Sequence, residues 1–75
     1  MWYKISPDEI INLDFCQKIK QDNYYSEKDG AVPSITFILT GGNVAYKVFE
    51  DKEEAEDEFE RLKDFFLRRN FTNEF

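Results

Sequence analysis

Histidine is absent from the 75 residues, which removes the commonest general base and metal ligand. Cys16 is the only thiol. A nucleophilic cysteine needs a neighbouring base, and a zinc site needs a Cys/His cluster, so Cys16 supports neither chemistry. Asp22-Asn-Tyr-Tyr-Ser-Glu-Lys-Asp-Gly30 has the composition of a calcium loop. Its glycine comes ninth, where an EF-hand needs it sixth, so the spacing does not fit. Glu50–Glu60 holds eight carboxylates in eleven residues. On a solvated helix face these mark charge rather than an acid/base pair. Gly41-Gly42 leads into a strand, the wrong context for phosphate binding, which needs a helix. Lys18, Lys20 and Lys28 are too few, against this much acid, for a nucleic-acid groove. No catalytic, cofactor-binding or metal-ligating residue emerges. The expectation is a chain that is not an enzyme and needs no cofactor.

The elements are better specified than the chemistry. Ile35–Thr40 and Val44–Phe49 are rich in β-branched and aromatic residues and flank Gly41-Gly42-Asn43, which reads as a β-hairpin. A two-residue Gly41-Gly42 loop sets Leu39 opposite Val44, Phe37 opposite Tyr46 and Ile35 opposite Val48. All six then share one apolar face, whereas a three-residue loop mixes the faces. A helix follows. Asp51 is the expected N-cap with Glu54 as its capping-box partner, and Asn70 the expected stop. Ala55, Phe59, Leu62 and Phe66 form one stripe, with Phe65 beside it. Asp57→Arg61 and Asp64→Arg68 are expected ion pairs.

Trp2 to Ser6 reads as a short strand. Ile11, Leu13, Phe15 and Ile19 form a second, half-buried strand after a turn or single helical turn at residues 7–10. Tyr3 and Ile5 then face Leu13 and Ile11. Residues 20–34 contain Asp22-Asn23, Asp29-Gly30 and Pro33 and read as a long loop. Tyr24 and Tyr25 make it a candidate contact point, because tyrosine gives large contact area at low entropic cost. The whole is expected to be one α+β domain over residues 1–75. An antiparallel meander of about four strands packs on one C-terminal amphipathic helix, and residues 71–75 form a tail. The candidate core is Tyr3, Ile5, Ile11, Leu13, Phe15, Ile19, Ile35, Phe37, Leu39, Val44, Tyr46, Val48, Ala55, Phe59, Leu62 and Phe66.

Charge and composition narrow the partners. A net charge of −6 disfavours direct binding to nucleic acid or an anionic membrane. No apolar run reaches the length of a membrane span. A lone cysteine and no apolar leader in Met1-Trp-Tyr-Lys4 suit a cytoplasmic protein. Asn70-Phe-Thr72 matches a glycosylation sequon, which has no meaning in that compartment.

Aromatic residues make up 17% of the chain, more than one helix can cover. Trp2, Ile10, Ile38, Phe49, Phe65, Leu67, Phe71 and Phe75 are left over from the core. The expectation is a small protein-interaction or structural module that forms a homo-oligomer or binds another protein through a sheet face or edge, with β-augmentation as its natural mode. Its candidate surface is Trp2, Ile38, Phe49, Tyr24, Tyr25, Phe71 and Phe75. An alternative is an acidic inhibitor whose Glu50–Glu60 helix surface mimics nucleic-acid phosphates. The order Ile11-Asn-Leu-Asp14, Ile35-Thr-Phe37, Gly41-Gly-Asn43, Phe49 and Glu53-Glu-Ala55 resembles short uncharacterised bacterial and phage proteins with a β-meander and a C-terminal helix. That resemblance implies a bacterial or mobile-element source and supplies no active-site residues.

Overall fold

A computed structural model describes residues 1–73, with side chains through Arg68. Five strands and one helix follow in order: β1 Trp2–Ser6, β2 Glu9–Asn12, β3 Cys16–Ser26, β4 Gly30–Leu39, β5 Val44–Val48 and α1 Lys52–Asn73. The class is α+β. The strands divide into two antiparallel sheets, β1-β2 and β3-β4-β5, rather than one four-stranded meander.

The division falls at Leu13–Phe15, which forms a short 3₁₀ turn where a continuous strand was expected. Asn12 Oδ1 accepts from the Asp14 N–H at 3.0 Å, and this local bond competes with strand pairing. The Leu13 N–H donates to the Met1 carbonyl at 2.8 Å, and the Leu13 side chain is fully buried. Phe15, expected in the core, is 59% exposed on the far side of that turn. The turn before β2 is Pro7-Asp8, and Tyr3 pairs with Ile11, two residues from the expected register but on the same face.

Residues 20–34 are not a loop. They form most of a long hairpin, with Tyr24 opposite Val32 and Tyr25 opposite Ala31. Only Glu27–Asp29 turns, and Ser26 Oγ accepts from the Lys28 and Asp29 N–H groups at 3.2 and 3.3 Å. Pro33 sits inside β4, where a proline normally argues against a central strand. β5 pairs only with Ser34–Ile38, so the ladder has ended at Pro33. The Phe49 N–H donates to the Pro33 carbonyl at 2.9 Å, which shows that the backbone of Pro33 faces the β5 side. Its missing N–H falls at the end of the β4–β5 ladder, where the Pro33–Phe49 pair makes one hydrogen bond instead of two.

The β4–β5 hairpin differs from expectation by one residue. Phe37 pairs with Ala45 and Ile35 with Lys47, because the loop is the odd-length Thr40-Gly41-Gly42. The Leu39 N–H closes it on the Asn43 carbonyl at 2.7 Å, and both glycines have positive φ, 86° and 83°. Side-chain alternation then sends Ala45 and Lys47 inward with Ile35 and Phe37. Val44, Tyr46 and Val48, expected in the core, turn to the other face and are each about half exposed.

The core lies between the inner sheet faces and α1. Its buried centre is Ile5, Leu13, Ile35, Phe37, Ala55 and Leu62. Phe59, Phe65 and Phe66 pack around it, so the helix stripe is where its spacing placed it. Asp51 caps the helix, its Oδ1 accepting from the Glu54 N–H at 2.8 Å. The helix runs past Asn70 to Asn73, so Asn70 does not stop it and residues 71–73 continue it rather than forming a tail.

Candidate interaction surface

The outer face of the three-stranded sheet is assembled from register and alternation. Tyr24 and Val32, then Ser34 opposite Val48, Thr36 opposite Tyr46, and Ile38 opposite Val44 point away from the helix. The rings of Tyr24 and Tyr46 meet edge to face at 5.7 Å from the two strands that flank β4. Ser34 and Thr36 between them are buried. Val44, Tyr46 and Val48 follow one another along β5 with 48%, 49% and 49% of their surface open. An open groove of about 470 Å³ runs beside them, lined across from β5 by Ile5, Ser6, Pro7 and Glu9 of the β1–β2 hairpin. The β5 side of this face is apolar, while Lys18, Lys20 and Asp22 of β3 share it opposite Ile38, Thr36 and Ser34; it offers contact area with a charged margin rather than acid/base chemistry.

The residues expected at a surface are only partly gathered here. Tyr24 and Ile38 belong to the outer face. Tyr25, 77% exposed, alternates to the opposite side of β3 near the hairpin tip. Trp2 is exposed on the other sheet. Phe49 is partly buried and packs against the core, with Lys47 Nζ 5.5 Å from its ring centre. The side chain of Phe71, and all of Phe75, lie outside the described residues. Val44, Tyr46 and Val48 were missed because an even loop had assigned them to the core. The alternation of Val44, Tyr46 and Val48 with Ala45 and Lys47 is plain in the sequence, but an even loop gathers six apolar residues on one face, and that outweighed the odd loop.

The partners of Lys47 make its inward placement favourable. Lys47 Nζ donates to the Tyr3 hydroxyl at 3.0 Å, and Tyr3 donates to Glu58 Oε2. Lys47 and Glu58 also pair at 3.8 Å, and Arg61 reaches Glu58 Oε1 at 3.4 Å. The ammonium lies 4.6 Å from the Tyr3 ring centre. Burial, and then Glu58, push the Tyr3 pKa well upward. A phenol held neutral this firmly is a poor proton donor, and each polar atom of the cluster already has a partner. The group joins β1, β5 and α1 rather than facing a ligand.

Other candidate chemistry disperses in the same way. Cys16 Sγ donates to the Lys18 carbonyl at 3.4 Å, and burial raises its pKa, which lowers the thiolate fraction. On the helix, Glu56 pairs with Lys52, Glu58 with Arg61, Glu60 with Lys63 and Asp64 with Arg68. Arg61 thus takes Glu58 rather than the expected Asp57, while Asp64–Arg68 forms as spaced. Among the described residues no three carboxylate or thiol groups converge as a metal site. No helix among them is long and apolar enough to cross a membrane. Comparison with protein-family models, curated proteins and solved structures finds no match for this chain.

Proposed function

We propose that this chain is a small, non-enzymatic protein-interaction module that self-associates through the β3-β4-β5 sheet, by its outer face or its edge. The observation that carries the reading is the contiguous half-exposed stripe Val44, Tyr46 and Val48, with Tyr24 against Tyr46. Apolar area of this kind on a small soluble chain is stabilised by covering it. The partner is a second copy or another protein. A cytoplasmic setting suits the single reduced-type thiol.

The alternative, an acidic inhibitor acting through Glu50–Glu60, draws on the helix charge. It is weakened because α1 already neutralises Glu56, Glu58 and Glu60 with its own cations. Light scattering across a dilution series separates the two. The module gains mass with concentration at both low and high salt. Tyr46→Glu, with circular dichroism unchanged, returns an assembly held by the outer face to monomer and leaves one held by the β3 edge intact. A chain that is monomeric throughout, and whose binding to a basic protein collapses with salt, sinks this reading in favour of the alternative.

A further inference from the structure

The free edge of β3 carries a pattern that fits itself. β3 is an edge strand of eleven residues, and among the described residues no strand pairs with its outer side. The backbone groups of Pro33 and Leu39 face β5, so the odd residues of this stretch of β4 face β5 and the even ones face β3. The pairs Lys20–Thr36 and Asp22–Ser34 then take up the even residues of β3. Ile19, Gln21 and Asn23 are left with their N–H and C=O groups pointing outward. The Asn23 N–H agrees: it is held only by the neighbouring Asp22 Oδ1, at 2.8 Å.

An antiparallel partner strand must present outward-facing groups to outward-facing groups. For a second β3, odd residues therefore sit opposite odd ones, and the two-fold axis passes through a residue. Charge then selects the residue. An axis at Ile19 sets Lys18 against Lys20. An axis at Lys20 sets two lysines face to face, and one at Asp22 two aspartates. An axis at Gln21 sets Lys20 opposite Asp22 and Lys18 opposite Tyr24, twice each. Lys20 and Asp22 then form a pair without backbone bonds between them, the kind in which side chains approach most closely. The lysines that ordinarily guard an edge become the groups that recognise it.

We propose that two copies of this chain dock antiparallel through β3, with the axis at Gln21, making one continuous six-stranded sheet. This rests on the reading of the chain as a self-associating module and names its partner and register. Ile19, Gln21 and Asn23 supply about six interchain hydrogen bonds. Within one chain Lys20 Nζ and Asp22 Oδ2 pair at 3.4 Å; on docking each turns to the oppositely charged residue of the second copy, and Asp22 releases the Asn23 N–H. The two outer faces, each with its Tyr24–Tyr46 contact, become one surface.

The test is a charge exchange at exposed positions, read as mass by sedimentation equilibrium with circular dichroism as the folding control. Lys20→Asp alone and Asp22→Lys alone each put like charges opposite one another, and each weakens dimerisation on the order of tenfold. The double variant restores opposite charges and recovers the dimer. In a Cys16→Ser background, Gln21→Cys forms a disulfide-linked dimer on mild oxidation, since directly opposite Cα atoms lie about 5.5 Å apart. Tyr25→Cys, far from the axis, does not. A double variant that stays as weak as the singles overturns the register. A dimer indifferent to all these changes but lost in Tyr46→Glu overturns the edge and leaves the module reading standing through the face. A wild-type chain that is monomeric at every concentration overturns both.

Discussion

Tyr3 on β1 and Glu58 on α1 are joined by a hydrogen bond from phenol to carboxylate, with Lys47 donating to the same phenol oxygen at 3.0 Å. Three elements distant in sequence meet at one hydroxyl. The fold favours the neutral phenol, since burial and Glu58 both raise its pKa. Its contribution is therefore complete below the unfolded value of about 10 and is lost as pH rises toward the folded one. Urea melts of wild type and Tyr3→Phe should show the wild type losing stability more steeply above about pH 10. Parallel curves through the alkaline range would show that Tyr3 does not carry the effect.

Ser34 poses the opposite case. Its side chain is buried on the outer face of β4, and Oγ has no hydrogen-bond partner among the described residues. A buried hydroxyl without a partner costs more than the methyl group that replaces it. Ser34→Ala is expected to raise stability by about 1 kcal/mol. A fall in the urea midpoint instead would mean that an ordered water satisfies Oγ.

Gly42 isolates a backbone effect. Its φ is +83°, and a Cβ placed there meets nothing within 4 Å. Gly42→Ala therefore carries only the left-handed penalty of an L-residue, about 1–2 kcal/mol. Thermal melts check the size, and an unchanged midpoint would mean that the loop adopts another conformation.

Asp51→Ala removes the side-chain acceptor of the Glu54 N–H at the start of α1. The expected loss is about 1 kcal/mol. Asp51→Asn keeps the acceptor and should hold most of that stability, which separates capping from the interaction of charge with the helix dipole.

The helix was legible because its signals are local and agree: a cap at Asp51 and a stripe from Ala55 to Phe66. The inner face of β4 was legible too, since Ile35 and Phe37 alternate cleanly and both are fully buried. The long hairpin was not. β3 is an edge strand with Lys18, Lys20 and Asp22 on one face, so it lacks the apolar alternation that marks a strand in sequence. Pro33 and Asp29-Gly30 reinforced the impression of a loop. The surface stripe was lost for a different reason. An even and an odd glycine loop give opposite faces, and the one with all apolar residues inward looked better. What decided the matter was Tyr3 and Glu58, more than forty and about ten residues away from Lys47, which turn a lysine into an acceptable inward residue.

The three-residue loop Thr40-Gly41-Gly42 has a consequence for how such a chain varies. Removing one glycine codon would rotate the whole of β5 by half a turn relative to its neighbour. Val44, Tyr46 and Val48 would go under the helix, and Lys47 would be evicted from Tyr3 and Glu58. One in-frame deletion would thus trade a sticky exterior for a closed one without altering a single strand residue. Loop length, more than strand composition, governs which residues of β5 this fold turns outward.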